Sequence, residues 1–167
     1  WHGSLFDGSG QVSLDSSGIG TYVVSWPARD EEPNGLTSPE ELIAAAHASC
    51  YCMALSLVLG KAGTPPESLQ ARAEVTFVPG PGITTSHLTV QATVPGISAA
   101  DFATAAEAAK VGSPFSQALT GGESRVDPTL INPAWRRRAR RHQRGEPDGV
   151  DRPAAWSGSW RSASRAR

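Results

Sequence analysis

The stretch SPEELIAAAHASCYC, residues 38–52, places a carboxylate pair, a histidine and both cysteines of the chain in consecutive positions. It opens with signals for a helix start. Ser38 can cap the helix, Pro39 fits its first turn, and Glu41 completes a capping box. The apolar residues continue to Leu59, after which GKAG marks the end of the helix. We therefore predict one long helix that carries the chemistry of the quoted stretch.

Short segments of β pattern surround this helix. Three precede it and predict an antiparallel meander: WHGSLF (1–6), GQVSLDSS (10–17) and TYVVSW (21–26). A predicted loop, PARDEEPNGLT (27–37), carries Arg29 to the helix. Two alternating runs after the helix predict a β-hairpin closed by PGPGIT: QARAEVTFV (70–78) and TSHLTVQATV (85–94). Two further helices are predicted, ISAADFATAAEAAKV (97–111) and SPFSQAL (113–119). The order βββ–α–ββ–αα indicates an α+β fold.

The charge of the chain changes sign near residue 135. Residues 1–135 hold five Lys or Arg against thirteen acids, whereas the remainder holds ten arginines against three acids. The basic part has no Leu, Ile or Phe, so it cannot bury a core. We predict a folded domain over residues 1–134 and an Arg-rich disordered tail over residues 135–167. The arginines of the tail could contact phosphates, and Trp156 and Trp160 could stack on bases, which would suit nucleic-acid binding. Composition alone is a weak basis for that role, so we favour a tail without a specific function.

No apolar run approaching the roughly 20 residues that cross a bilayer is apparent, and neither is an export signal. Two cysteines one residue apart would close almost no loop as a disulfide. These observations predict a cytoplasmic protein with reduced thiols and no membrane partner.

The crowded residues of the helix favour a nucleophilic thiol over a metal or a dithiol. Cys50 and Cys52 are about 200° apart around a helix, so a direct bond between them is disfavoured. His47 shares the face of Cys50, but His47, Cys50 and Cys52 cannot converge on one ion from a regular helix. No CxxC pair supplies further ligands. We expect neither a metal nor another cofactor.

Four segments together resemble the thiol peroxidases of the OsmC and Ohr family (osmotically inducible protein C and organic hydroperoxide resistance protein). They are TSPEELIAAAHASCYCMALSLVLGKAG (37–63), VSWPARDEEPNG (24–35), VPGISAADF (94–102) and AAKVGSPFSQAL (108–119). The likeness covers roughly residues 1–132. It implies antiparallel sheets packed on a long central helix, and an intertwined homodimer with its active sites at the interface.

The resemblance also implies roles for individual residues. Cys50 matches the peroxidatic cysteine, Arg29 the arginine before the helix, and Glu40 the first glutamate of the PEEL motif. A guanidinium near a thiol favours the reactive thiolate, and a carboxylate can hold the guanidinium in place. His47 is interpreted as a packed or hydrogen-bonded core residue. The candidates for a pocket near the thiol are His47, Cys52, Met53, Leu57 and Phe115.

Two features of the sequence complicate this assignment. Glu40 and Cys50 are ten residues apart, which is about 15 Å along a continuous helix. Either the helix is broken between them or the site is assembled across a dimer interface. In addition, the family's second, resolving cysteine lies in a pattern like GCPVSQ, where this chain has Ser113. A hydroxyl cannot form a disulfide, while Ser before Pro is a good helix cap.

The leading hypothesis is a thiol-dependent peroxidase of the oxidative stress response. It reduces organic hydroperoxides, with hydrogen peroxide as a competing substrate, and an external thiol or dithiol regenerates it. The alternatives are a catalytically impaired thiol sensor or binding protein that lacks the resolving cysteine, and a nucleic-acid-binding protein acting through the basic tail.

Overall fold

The structure is a computed structural model, and it describes residues 1–131. In chain order the described elements are β1 (Ser9–Ser13), β2 (Thr21–Ser25), α1 (Trp26–Asp30), α2 (Pro39–Lys61), β3 (Ser68–Val78), β4 (Gly82–Thr93), α3 (Ala99–Gly112), α4 (Pro114–Ala118) and β5 (Glu123–Leu130). The α+β class predicted from the sequence is confirmed. The predicted tail, residues 135–167, and the nucleic-acid role considered for it lie outside the described residues.

Helix α2 is the central element, and its start follows the predicted capping pattern. The Ser38 hydroxyl accepts a hydrogen bond from the Glu41 amide at 3.1 Å, and Pro39 occupies the first turn. The helix runs for 23 residues without a break. Its length and composition would suffice to cross a bilayer, so the prediction that no run approaches that length was wrong. One such helix is weak evidence for a membrane span, because core helices also pass this test.

One side of α2 packs against a three-stranded sheet of order β3–β4–β5. The predicted hairpin is present as antiparallel β3 and β4, and β5 runs parallel to β4. The residues that fill the space between this sheet and helices α2 and α3 are mainly aliphatic: Leu55, Leu59, Val75, Leu88, Val90, Val94, Phe102 and Val126. Tyr51 adds a hydrogen bond from its hydroxyl to the Ala106 carbonyl at 3.0 Å, which ties α2 to α3.

Strand β5 was not predicted. Its segment contains Pro128, which has no amide hydrogen to donate to a ladder and argues against a central strand. The strand lies at the edge of the sheet, where only one neighbour has to be satisfied. Its buried residue, Val126, pairs with Leu88 of β4 and completes the core on that side.

The segment before α2 differs from prediction at two places. The meander has two strands, β1 and β2, because the first six residues contribute only an isolated bridge between His2 and Ser9. The predicted loop after β2 begins as helix α1. The Ser25 hydroxyl accepts from the Ala28 amide at 3.3 Å, and Pro27 lies in the first turn. Arg29 therefore lies on a short capped helix instead of a loop.

Candidate active site

Cys50 lies on α2 beside the start of α4. Its Sγ atom is 3.5 Å from the Oγ atom of Ser113, which is fully buried. Ser113 is the N-cap of α4, and its Oγ accepts a hydrogen bond from the Ser116 amide at 3.4 Å. The hydroxyl hydrogen therefore remains available for the sulfur. Because a thiolate has no hydrogen to donate, Ser113 must be the donor once Cys50 is ionised.

His47, one turn before Cys50, fastens α4 to the sheet. Its side chain is fully buried, with Nδ1 2.7 Å from Ser86 Oγ and Nε2 2.8 Å from Ser116 Oγ. Burial lowers the pKa of His47, which keeps the imidazole neutral near neutral pH. In a neutral ring one nitrogen donates and the other accepts, so both hydroxyls are satisfied. The bridge holds Ser113 over Cys50, because Ser113 and Ser116 share the first turn of α4.

A second cluster forms where α1 meets the start of α2. Arg29 Nη2 lies 2.7 Å from Glu40 Oε1, and Arg29 Nε lies 3.1 and 3.2 Å from the two carboxylate oxygens. Glu40 is buried in the first turn of α2, where the helix dipole also favours a carboxylate. The Arg29 guanidinium stacks over the Phe77 ring at 4.0 Å and lies 5.5 Å from the Trp26 ring. The cation is therefore held in one orientation, with aromatic surface around it.

Within one chain, these two clusters remain apart. Helix α2 is continuous from Glu40 to Cys50, so the axial separation is about 15 Å. Of the two arrangements that the sequence left open, the broken helix is therefore excluded. The structure brings Arg29 to Glu40, and Cys50 to Ser113, but it does not bring Arg29 to Cys50 in a single chain.

Cys52 lies away from the Cys50–Ser113 contact and toward β3. It is half-buried, and burial raises the pKa of its thiol, although a backbone hydrogen bond at Ala71 opposes the shift. Cys52, Met53 and Leu57 line an open apolar groove along α2 together with Ser56, Gly60 and Lys61. Met53 and Leu57 are 71% and 58% exposed, so this groove is uncovered in the single chain.

The residues considered for one pocket therefore divide between two places. Cys52, Met53 and Leu57 belong to the groove, whereas Phe115 packs near the His47 ring at 5.9 Å. Residues 1–131 contain no group of three or more His, Cys, Asp or Glu side chains that could hold a metal ion.

Sequence reasoning missed four residues of these clusters: Trp26, Phe77, Ser86 and Ser116. A signal for Ser86 is present in its strand, where it occupies an inward-facing position in the alternation with Leu88 and Val90. A hydroxyl in an otherwise apolar series implies a buried polar partner. The partner, His47, is 39 residues earlier and cannot be identified from the strand alone.

Comparisons with known proteins were consistent with one another. The OsmC family model, described as OsmC-like protein, matches residues 32–128. Peroxiredoxin OsmC of Escherichia coli K12 is 42% identical over 122 residues, which cover 71% of this chain and 85% of that protein.

Two solved structures share the fold at lower identity. An OsmC organic hydroperoxide resistance protein from Legionella pneumophila has a TM-score of 0.55 and 20% identity, covering 74% of this chain and 95% of that one. OhrB of Bacillus subtilis has a TM-score of 0.55 and 20% identity, and the match covers 78% of this chain and 93% of that one.

Proposed function

The chain belongs to the OsmC family, and from that membership we propose that it is a thiol peroxidase that reduces organic hydroperoxides and acts in the oxidative stress response. The observation that carries the proposal is the half-buried Cys50 thiol beside the hydroxyl of Ser113, in a chain closely similar to a peroxiredoxin. We propose that the folded domain acts as a soluble protein, since one side of α2 packs on the sheet. Its two cysteines are free thiols, which fits the reducing cytoplasm.

The chemistry begins at the sulfur of Cys50. The thiolate attacks one oxygen of the hydroperoxide, the O–O bond breaks, and the leaving alkoxide takes up a proton to become an alcohol. The sulfur has then lost two electrons and is a sulfenic acid. Ser113 donates to the sulfur before the attack. A guanidinium is suited to hold the peroxide and to stabilise the alkoxide, because it is always charged and presents several donors.

Arg29 and Glu40 are proposed to supply that guanidinium from a second copy of the chain. Along α2 a stripe of small or apolar residues is exposed at spacings of three or four: Ala45, Ser49, Met53, Leu57 and Gly60. Such a stripe suits close packing against another helix. A homodimer formed on this face would cover the stripe. It would also allow the Arg29–Glu40 pair of one protomer to meet Cys50 of the other, which the continuous helix prevents within one chain.

The surroundings of Arg29 favour organic hydroperoxides over hydrogen peroxide. Phe77 and Trp26 flank the guanidinium, and Phe6 packs edge-on against Trp26 with ring centroids 5.8 Å apart. An apolar substituent on the peroxide can bury surface against these rings, whereas hydrogen peroxide has none to bury.

The proposed function is tested by a single-turnover experiment on the fully reduced protein. We expect one equivalent of cumene hydroperoxide to be converted into cumyl alcohol, and dimedone to trap the sulfenic acid on Cys50. The Cys50→Ser variant should consume none. Hydroperoxide consumption that persists in that variant would assign the reaction to another group.

A further inference from the structure

The chain contains two cysteines in total, Cys50 and Cys52. A peroxidase that forms a sulfenic acid needs a thiol to reduce it, and the first question is whether the chain supplies one. The geometry of α2 and α4 answers it for each candidate position.

Cys52 is not placed to reduce Cys50. The two residues are two positions apart on a continuous helix, which places them about 200° apart around its axis. Their Cα–Cβ bonds therefore diverge. A disulfide needs Cβ atoms within about 4.5 Å and cannot form between diverging bonds without movement of the backbone. Cys52 is also half-buried toward β3, and burial keeps it protonated.

Ser113 occupies the place where a second thiol would have to be. Its Oγ lies 3.5 Å from the Cys50 sulfur and is shielded from solvent on α4. Its hydroxyl holds the cap of α4 and hydrogen-bonds the sulfur, but it has no sulfur to contribute to a disulfide. The neighbour best positioned to resolve the sulfenic acid is therefore chemically unable to do so.

We propose that the enzyme runs a one-cysteine cycle in which small external monothiols, and not an internal disulfide, reduce Cys50. This inference rests on the proposed peroxidase function. A first monothiol attacks the sulfenic sulfur, a mixed disulfide forms and water leaves with the hydroxyl oxygen. A second monothiol attacks the sulfur of the mixed disulfide that came from the first monothiol. This attack releases the Cys50 thiolate and an external disulfide. The cycle as a whole converts one hydroperoxide and two monothiols into an alcohol, water and one disulfide.

The half-burial of Cys50 sets the class of reductant. The sulfur is flanked by the buried Ser113 and by α4, so an attacking thiol must reach it through a limited opening. A small monothiol can enter, whereas a protein dithiol, which could form the same mixed disulfide, has to bring a whole folded domain up to the half-buried sulfur. When thiol is scarce, the waiting sulfenic acid reacts with more hydroperoxide and gives the sulfinic acid, which ordinary thiols do not reverse.

The test compares the wild type with Ser113→Cys and with a control, Ser68→Cys, which adds an exposed thiol at the start of β3. Each reduced protein receives one equivalent of cumene hydroperoxide, then dimedone, 2-mercaptoethanol or a thioredoxin-type dithiol, and its peptides are mapped by mass spectrometry. We expect the wild type and Ser68→Cys to give a dimedone adduct on Cys50 and, with 2-mercaptoethanol, a mixed disulfide that further 2-mercaptoethanol reduces. Steady turnover should then follow when excess hydroperoxide is supplied. In Ser113→Cys the adduct should be lost in favour of a bridge between residues 50 and 113.

Two results would overturn the inference while leaving the peroxidase function intact. One is a Cys50–Cys52 bridge, within or between chains, as the dominant wild-type product. The other is a sulfenic acid that 2-mercaptoethanol does not reduce but a thioredoxin-type dithiol does. Failure of the reduced wild type to consume any hydroperoxide would instead overturn the proposed function, and the one-cysteine cycle with it.

Discussion

The Arg29 guanidinium binds the buried carboxylate of Glu40 at 2.7 Å, at the opposite end of an uninterrupted helical segment from Cys50. This ion pair has aromatic neighbours on the arginine side and a helix amino terminus on the glutamate side. It therefore holds the Arg29 guanidinium in a fixed place. Because the pair is distant from Cys50 in the same chain, the proposed site that contains all three residues needs a second copy of the chain.

Replacing Arg29 should impair both stability and activity. Arg29→Ala leaves Glu40 as an unpaired buried carboxylate, which costs about 3 kcal/mol in the free energy of unfolding. Loss of one charge-assisted contact to the transition state should slow hydroperoxide reduction by roughly 10- to 100-fold. Arg72→Ala removes an exposed arginine paired with Glu74 and serves as the control, with both quantities nearly unchanged. Denaturant melts and single-turnover rates measure the two effects, and equal rates for the two variants would remove Arg29 from the mechanism.

Mixing two defective variants tests whether the site is shared between protomers. If Cys50 of one chain works with Arg29 of its partner, a dimer of Cys50→Ser with Arg29→Ala contains one intact site and one doubly defective site. Unfolding and refolding an equal mixture should then recover about a quarter of the wild-type activity, since half of the dimers are mixed. A site confined to one chain predicts no recovery above the separate variants. Sedimentation of the unmixed proteins establishes that each variant is a dimer.

The two cysteines should differ sharply in reactivity. Cys50→Ser should abolish hydroperoxide reduction, whereas Cys52→Ser should retain it, because Cys52 lies away from the Ser113 contact. Burial raises the pKa of Cys52, so iodoacetamide should label it slowly at neutral pH and faster as the pH rises. Peptide mapping of the labelled protein distinguishes the two sites. Faster labelling of Cys52 than of Cys50 at pH 7 would contradict the assignment.

Ser113 combines a helix cap with a hydrogen bond to the reactive sulfur, and these contributions can be separated. Ser113→Ala and Ser98→Ala each remove an N-cap hydroxyl, from α4 and α3 respectively, and each should cost about 1 kcal/mol in stability. Only Ser113→Ala should also slow alkylation and peroxide attack at Cys50, by roughly tenfold for one lost hydrogen bond to a charged thiolate. Equal reactivity of the two variants would reduce Ser113 to a structural role.

His47 should make the stability of the protein depend on pH. Burial lowers the pKa of His47 in the folded state, whereas in the unfolded chain the imidazole titrates near its ordinary value of about 6.5. As the pH falls below that value, the unfolded state binds a proton that the folded state does not, and the free energy of unfolding decreases. Above a pH of about 6.5, the contribution of His47 to the free energy of unfolding is fully present.

A matched pair of histidine variants isolates that effect. In His47→Asn, the free energy of unfolding should no longer fall with pH below 6.5 through this residue. At pH 8 the variant should be less stable by about 2 kcal/mol, because a buried hydroxyl loses its partner. His87→Asn, in the more exposed pair with Asp127, is the control. Urea melts at a series of pH values measure the slope, and an unchanged slope in His47→Asn would show that another group is responsible.

Much of this protein is determined by local sequence. The Ser38–Pro39 start and the alternation of the hairpin are near-neighbour effects, and they correctly predicted α2, β3, β4, α3 and α4. The resemblance to the OsmC and Ohr family also indicated Cys50, Arg29 and Glu40 as a set. Local patterns failed where partners are distant in sequence: β5 is stabilised by its parallel pairing with β4, in spite of Pro128.

Only the tertiary structure decided how the site is arranged. The partners of His47, Ser86 and Ser116, are 39 and 69 positions away, and Ser113 meets Cys50 across 63 positions. Sequence spacing sets distances along one helix, because each residue adds about 1.5 Å between Glu40 and Cys50. It does not determine which elements from other parts of the chain pack against that helix. Those contacts are made when the apolar faces of α2, the sheet and α3 are buried together, and that burial brings α4 over the thiol.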